Sequence, residues 1–163
     1  MLANRVGQQA APPKADGYVF VLCDDWFDEV TVAVFVSELR EAGVRVKVVG
    51  VHGRRMTSAY GLRMDADMTL GQALPLAYNT IGVIIPGSQT HWRSFETDPR
   101  IQDLLTQAQA NGALFVIPKL GQPENGALDI WETLSADQVV VCPEREKRQM
   151  IRTARDLASR LSR

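Results

Sequence analysis

The run Ala113-Leu-Phe-Val-Ile117 constrains the fold more than any other stretch: five apolar residues in succession, without alternation, between Gly112 and Pro118. A strand with one wet face alternates apolar and polar residues. An unbroken run therefore predicts a strand covered on both faces, in the middle of a parallel sheet flanked by helices. Pro118 has no N–H to give to a ladder and predicts the strand's end. Ligands of open α/β sheets bind outside the carboxyl ends of the strands. Pro118, Lys119 and Leu120 are thus expected to face any site, and none is a nucleophile of ordinary reactivity.

The rest of the chain repeats the strand–helix alternation. Tyr18 to Cys23 is a second continuous apolar strand, followed by a turn at Asp24-Asp25-Trp26. Asp28 reads as the N-cap of a helix that runs to about Ala42 and stops at Gly43. Its apolar set includes Val30, Ala33, Val34 and Leu39. Arg45 to Gly50 is the next strand and completes a right-handed βαβ unit. Met56–Ala59 and Leu62–Met64 predict a short hairpin, and Asp67–Ala73 a brief helical turn. Ile81 to Ile85 is a third buried strand ending at Pro86-Gly87-Ser88. Asp98-Pro99 opens a helix with Ile101, Leu104, Leu105 and Ala108 on one face, and Asn111-Gly112 closes it. Leu128–Leu134 predicts a short helix and Gln138–Cys142 the last strand. Glu144–Arg163 predicts an amphipathic helix, apolar at Ile151, Ala154, Leu157, Ala158 and Leu161. The expected fold is α/β: a flavodoxin-like, doubly wound, mainly parallel sheet of five or so strands, flanked by helices on both faces.

A chain of 163 residues fits one domain, and residues 17–163 read as that domain behind a flexible tail at 1–16. A formal net charge of −1 offers no electrostatic basis for binding nucleic acid or an anionic membrane. No apolar run approaches the roughly 20 residues of a membrane span. The N-terminus lacks the apolar core of a secretory signal. Two cysteines, Cys23 and Cys142, make no disulfide framework, so a cytoplasmic protein is expected. No cofactor or metal motif stands out.

Several stretches carry a family pattern. Leu39-Arg-Glu-Ala-Gly43 leads into Val44-Arg-Val-Lys-Val-Val-Gly50. Tyr60-Gly61 precedes Asp65-Ala-Asp-Met-Thr-Leu70. Ile84-Ile-Pro-Gly-Ser88 stands before a helix. In order and spacing these resemble the ThiJ/PfpI superfamily, of the class I glutamine-amidotransferase-like fold, over roughly residues 18–117. The resemblance implies a cysteine on a strained strand-to-helix elbow, an acidic partner in the first helix and a downstream histidine. Counting from Gly112, Pro118 occupies the cysteine's position. Counting back from Ala42-Gly43, Thr31 occupies the acid's, with Asp28 and Glu29 close in sequence. Gly87-Ser88 stands for the family's glycine pair, and no histidine follows Pro118. A thiolate needs a proton partner to be a useful nucleophile. The resemblance therefore implies a member without that chemistry: a regulatory, scaffold or small-ligand-binding module. It also implies a homodimer.

Other candidates remain open. Cys23 ends a strand at the carboxyl edge and is either a relocated nucleophile or a small buried hydrophobe. His91 is the other candidate catalytic group, as a relocated base, so a hydrolase-, glyoxalase- or lyase-like enzyme is the alternative. Asp24 and Asp25 with Lys119 resemble the acids and lysine of a response-regulator receiver, but the third strand supplies no phosphoacceptor aspartate. The expected ligand-binding set is Asp24, Gly87, Ser88, His91, Trp92, Pro118 and Lys119. It suits a small polar or weakly held anionic ligand over Pro118, without the glycine-rich loop of a phosphate cradle. A protein partner, including a second copy covering Trp26 and Trp92, is the other kind expected.

Overall fold

The computed structural model describes residues 16–87, 95, 97–118, 134–143 and 146–162. The chain begins with β1 (Tyr18–Cys23), α1 (Glu29–Glu41) and β2 (Arg45–Gly50). It continues with β3 (Arg55–Thr57), β4 (Arg63–Asp65), β5 (Met68–Thr69), α2 (Leu70–Ala73) and a 3-10 turn at Leu74–Asn79. Then come β6 (Thr80–Ile84), α3 (Pro99–Ala110), β7 (Leu114–Pro118), β8 (Val139–Cys142) and α4 (Lys147–Leu161). The expected tail and the helix at Leu128–Leu134 lie outside the described residues, Asp16 and Leu134 apart.

Six strands form the main sheet in the order β5-β2-β1-β6-β7-β8. Every described ladder in it is parallel. Successive side chains of β1 point to opposite faces, which divides the core. Val19, Val21 and Cys23 pack with Val32, Phe35 and Leu39 of α1 and with Met150, Ala154 and Leu157 of α4. Phe20 and Leu22 pack with Leu70, Ile101, Leu104, Leu105 and Phe115 on the other face. A fully buried Phe or Leu contributes about 2–3 kcal/mol, so both layers are strongly held. From β1 the chain moves outward through α1 to β2. From β6 it moves the opposite way through α3 to β7. The two crossovers thus put their helices on opposite faces, and the strand order reverses between β1 and β6.

Local signals explain most boundaries. Asp28 accepts from the N–H groups of Val30 and Thr31 and caps α1, whose carboxyl end closes at Gly43 with φ +84°. Asp98 caps α3 ahead of Pro99, and Gly112 adopts φ +73° after it. Other boundaries correct the sequence reading. Pro118 is the last residue of β7, as expected, but it is still part of the ladder, in register with Cys142 of β8. A terminal residue can forgo its N–H and stay in the strand. β7 lies next to the edge strand β8 rather than in the middle of the sheet, and its Leu114, Ile117 and Pro118 are only half-buried.

The apolar face of α1 is rotated from the expected one. Thr31, Val32, Phe35 and Leu39 are buried, whereas Ala33 is exposed. Valines at 30, 32, 34 and 36 made more than one helical phase available. The hairpin pairs Arg55–Thr57 with Arg63–Asp65, shifted by a residue from the expected segments. Part of the expected turn at Asp67–Ala73 is strand, because Met68 and Thr69 pair with Val49 and Gly50 before α2 begins. The final helix starts at Lys147 and the last strand at Val139.

Candidate functional site

The carboxyl ends of β1, β2, β6 and β7 bring Cys23-Asp24, Gly50-Val51-His52, Ile85-Pro86-Gly87 and Pro118 to one edge of the sheet. Ser88, His91, Trp92 and Lys119 lie outside the described residues, so their expected convergence on this edge is not described.

Cys23 is fully buried on the α1/α4 face. Burial, and secondarily the charge of Asp24, push its thiol far above the ordinary cysteine range. A thiol in that state stays protonated at physiological pH. Thr31 is buried, and its hydroxyl faces Met150 Sδ at 4.0 Å. The two neighbouring acids are engaged elsewhere. Asp28 Oδ1 caps α1. Glu29 Oε2 accepts a 2.5 Å hydrogen bond from Ser58 Oγ, which itself accepts from Leu62 N–H at 2.8 Å. Both of these carboxylates serve local structure: one starts the helix and the other ties it to the hairpin.

The loop after β1 is bound on several sides. Trp26 N–H donates to Thr57 O at 2.8 Å, and Asp25 Oδ1 accepts from Thr57 N–H at 2.9 Å. Ala59 N–H donates to Phe27 O at 3.0 Å, and Asp28 N–H reaches Pro86 O at 3.1 Å across the switch point. These bonds hold Trp26 at φ +70°, a region costly for a bulky L-residue, with its side chain largely in solvent at 71% exposure. A cavity of about 380 Å³ opens beside it, lined by Asp25, Trp26, Thr57, Ser58, Ala59 and Gly61. This cavity lies between the loop and the hairpin rather than over Pro118. A second, more open hollow of about 620 Å³ lies between α1 and α4, around Glu38 and Arg155.

A side-chain pair at the edge has no signal in the local sequence. Cys23 and Gly50 are partners in the parallel ladder, and Val51 N–H extends it to Cys23 O at 2.9 Å. Asp24 and His52 therefore emerge side by side, with His52 Nδ1 2.8 Å from Asp24 Oδ2. The other oxygen, Asp24 Oδ1, accepts from Asp25 N–H at 2.8 Å. A carboxylate only accepts, so Nδ1 carries the proton, and Nε2 has no partner among the described residues. Nearby at the start of α3, Arg100 forks onto both oxygens of Asp98, Nε at 3.1 Å and Nη2 at 2.8 Å. That hydrogen bonding holds the Asp98 carboxyl below its ordinary range, with a small contribution in the same direction from His52. Only the parallel register and the start of α3 on the carboxyl side of the sheet reveal this grouping. Among the described residues no three His, Cys, Asp or Glu side chains converge as a metal site would require.

A model of the DJ-1/PfpI family matches residues 18–117. No curated protein matches the chain in sequence. Among solved structures, DJ-1beta of Drosophila melanogaster superposes with a TM-score of 0.71 at 15% identity, covering 90% of each chain. A mutant of the DJ-1 superfamily protein STM1931 from Salmonella typhimurium gives 0.68 at 17% identity, covering 89% of this chain and 90% of that one. A two-domain protein of Anabaena variabilis, with DJ-1/ThiJ/PfpI-like and ferritin-like domains, gives 0.68 at 17% identity, covering 89% of this chain and 48% of that one. At these identities the superpositions establish the shared fold.

Proposed function

The chain belongs to the DJ-1/PfpI family, and from that membership we propose that it is a non-catalytic member: a cytoplasmic regulatory, scaffold or small-ligand-binding module that works as a homodimer. One observation carries the reading. Pro118 ends β7 where the resemblance implies a nucleophilic cysteine, and Thr31, facing Met150, stands where it implies the acid. Neither residue can supply a thiolate or its proton partner. Cys23 supports the same reading, since burial keeps its thiol protonated.

The test is turnover. The purified protein is expected to leave methylglyoxal and peptide substrates unchanged. Iodoacetamide should alkylate Cys23 only after unfolding, at least about a hundredfold more slowly in the native state. Turnover that Cys23→Ser abolishes would establish the enzyme reading instead.

The homodimer has its own support. Trp26, Tyr60 and Leu62 are 71%, 79% and 54% exposed, and all come from the loop and hairpin turn that are hydrogen-bonded to one another. Large apolar groups gathered in this way are better covered than left in water. Light scattering is expected to give twice the 18.0 kDa chain mass, and Trp26→Asp to shift the protein toward monomer. A wild-type mass equal to one chain at the highest soluble concentration would rule the dimer out.

A further inference from the structure

Strain, a cavity and a carboxylate meet at the loop after β1. Trp26 is held at φ +70°, and backbone held in such a region clusters at ligand sites. The cavity beside it, about 380 Å³, is of the size that takes a small ligand. Its lining residues are Asp25, Trp26, Thr57, Ser58, Ala59 and Gly61. The Asp25 carboxylate bridges the two walls: it comes from the loop, and its Oδ1 accepts from Thr57 N–H of the hairpin at 2.9 Å. Trp26 is the one aromatic residue of the lining, and its side chain is largely in solvent.

The hydrogen-bonding capacity of this lining is one-sided. All six backbone N–H groups donate within the protein: Asp25 to Asp24 Oδ1, Trp26 to Thr57 O, Thr57 to Asp25 Oδ1, Ser58 to Leu62 O, Ala59 to Phe27 O and Gly61 to Ser58 O. The single hydroxyl proton of Ser58 goes to Glu29 Oε2 at 2.5 Å. The backbone donors that an anion would need are therefore committed. A carboxylate has two oxygens and about four acceptor sites, so Asp25 keeps acceptor capacity beyond its bonds within the protein. A second carboxylate, Glu29, stands one hydroxyl behind the wall. None of the hairpin's arginines, Arg54, Arg55 and Arg63, is among the lining residues.

We propose that this cavity binds a small organic cation, a primary ammonium on an apolar body, with the ammonium on the Asp25 carboxylate and the body against Trp26 and Ala59. This rests on the small-ligand-binding reading above and gives it a site and a ligand class. An ammonium brings three donors and no acceptor, the complement of a lining whose backbone donors are spent. Its charge is attracted by the carboxylate and by the face of an indole. A carboxylate ligand of the same shape would meet the like charge of Asp25 with no backbone donor to offset it. An alcohol of the same shape can donate one hydrogen bond but brings no charge. Asp25 is exposed, so water screens the pair and affinity is modest, about 1 mM.

The experiment titrates three probes of one shape into the full chain at matched ionic strength: benzylammonium chloride, benzyl alcohol and sodium benzoate. Binding is read by NMR from the backbone amides of Thr57, Ser58 and Gly61. The expected result is a saturable shift with benzylammonium, an affinity about tenfold lower for benzyl alcohol, and no saturable shift with benzoate. Asp25→Asn keeps an oxygen for Thr57 N–H and removes the charge, so it should weaken benzylammonium binding about tenfold. Trp26→Leu should weaken it about threefold through the lost indole face. Asp156→Asn, at an exposed position of α4, controls for lost charge and should leave it unchanged. Benzylammonium that binds no better than benzyl alcohol, or an affinity indifferent to Asp25→Asn, overturns the proposal. Asp25→Asn leaves Trp26, Tyr60 and Leu62 in place, so its light-scattering mass should equal that of the wild type. A changed mass would assign the lost binding to the dimer and overturn the site. Turnover in the assays above would sink the non-catalytic reading without touching this site. Absent benzylammonium binding in an inactive protein sinks the site alone.

Discussion

Gly50→Ala is expected to cost about 3 kcal/mol or more of folding stability and to displace the turn that carries His52. Gly50 is the last residue of β2, paired with Cys23 on one side and Thr69 on the other. The chain then folds back so closely that a Cβ at this position would lie 1.8 Å from Gly53 O and 2.8 Å from its carbonyl carbon. The clash is with backbone, which cannot rotate away as a side chain can. Either the β2 end leaves the ladder or the turn at 51–53 moves outward, and both separate Asp24 from His52. Gly71 in α2 is the internal comparison. A Cβ there would meet only Thr69 Oγ1 at 3.9 Å, so Gly71→Ala should be neutral or stabilising by up to about 1 kcal/mol. Denaturant unfolding of the two variants checks both values. A loss below about 1 kcal/mol for Gly50→Ala would mean that the turn is not held as closely as described.

Restoring the implied catalytic pair is expected to fail through stability before chemistry. Thr31→Glu places a carboxylate at a buried position between α1 and α4, against Met150. An unpaired buried charge costs several kcal/mol or holds its proton. A loss of about 3 kcal/mol or more is expected at neutral pH. The sign with pH follows from the raised folded-state pKa of such a carboxyl. Below its unfolded pKa both states are protonated and the ionisation penalty vanishes, and the loss grows as pH rises toward the folded value. Pro118→Cys alone is expected to yield no turnover of methylglyoxal, because Asp28 and Glu29 are held by the α1 cap and by Ser58. Two measurements decide: the pH dependence of the Thr31→Glu midpoint, and the activity of the Pro118→Cys protein. Full activity from the single cysteine would show that a proton partner survives at the edge and that Pro118 alone accounts for the missing chemistry.

The layers of the fold were legible because their signals are local. Continuous apolar runs marked β1, β6 and β7, and Asp28, Asp98-Pro99, Gly43 and Gly112 marked helix ends through capping and left-handed φ. β5 was not legible, since two residues become a strand only by finding Val49 and Gly50 beside them. The buried face of α1 was ambiguous because valines recur at every second position. The same distinction runs through the site. Pro118 and Thr31 could be placed by counting from glycines. His52 stood out only when the parallel register set it against Asp24, 28 residues away.

The all-parallel sheet also sets an order of events in time. Parallel neighbours cannot be joined by a tight turn, so each ladder waits for a crossover, and the cost of closing that loop precedes any gain from pairing. The hairpin at Arg55–Thr57 and Arg63–Asp65 pairs locally and can form early. β1 and β2 can meet once α1 has formed between them. The other side of β1, which ends against β6 with Val19 beside Gly82 and Val21 beside Ile84, has no partner until much more of the chain has been made. During synthesis the most completely buried of the described strands therefore shows an open edge for the longest interval. Self-association of unfinished chains is a hazard of that interval, well before the native state and its ligands come into play.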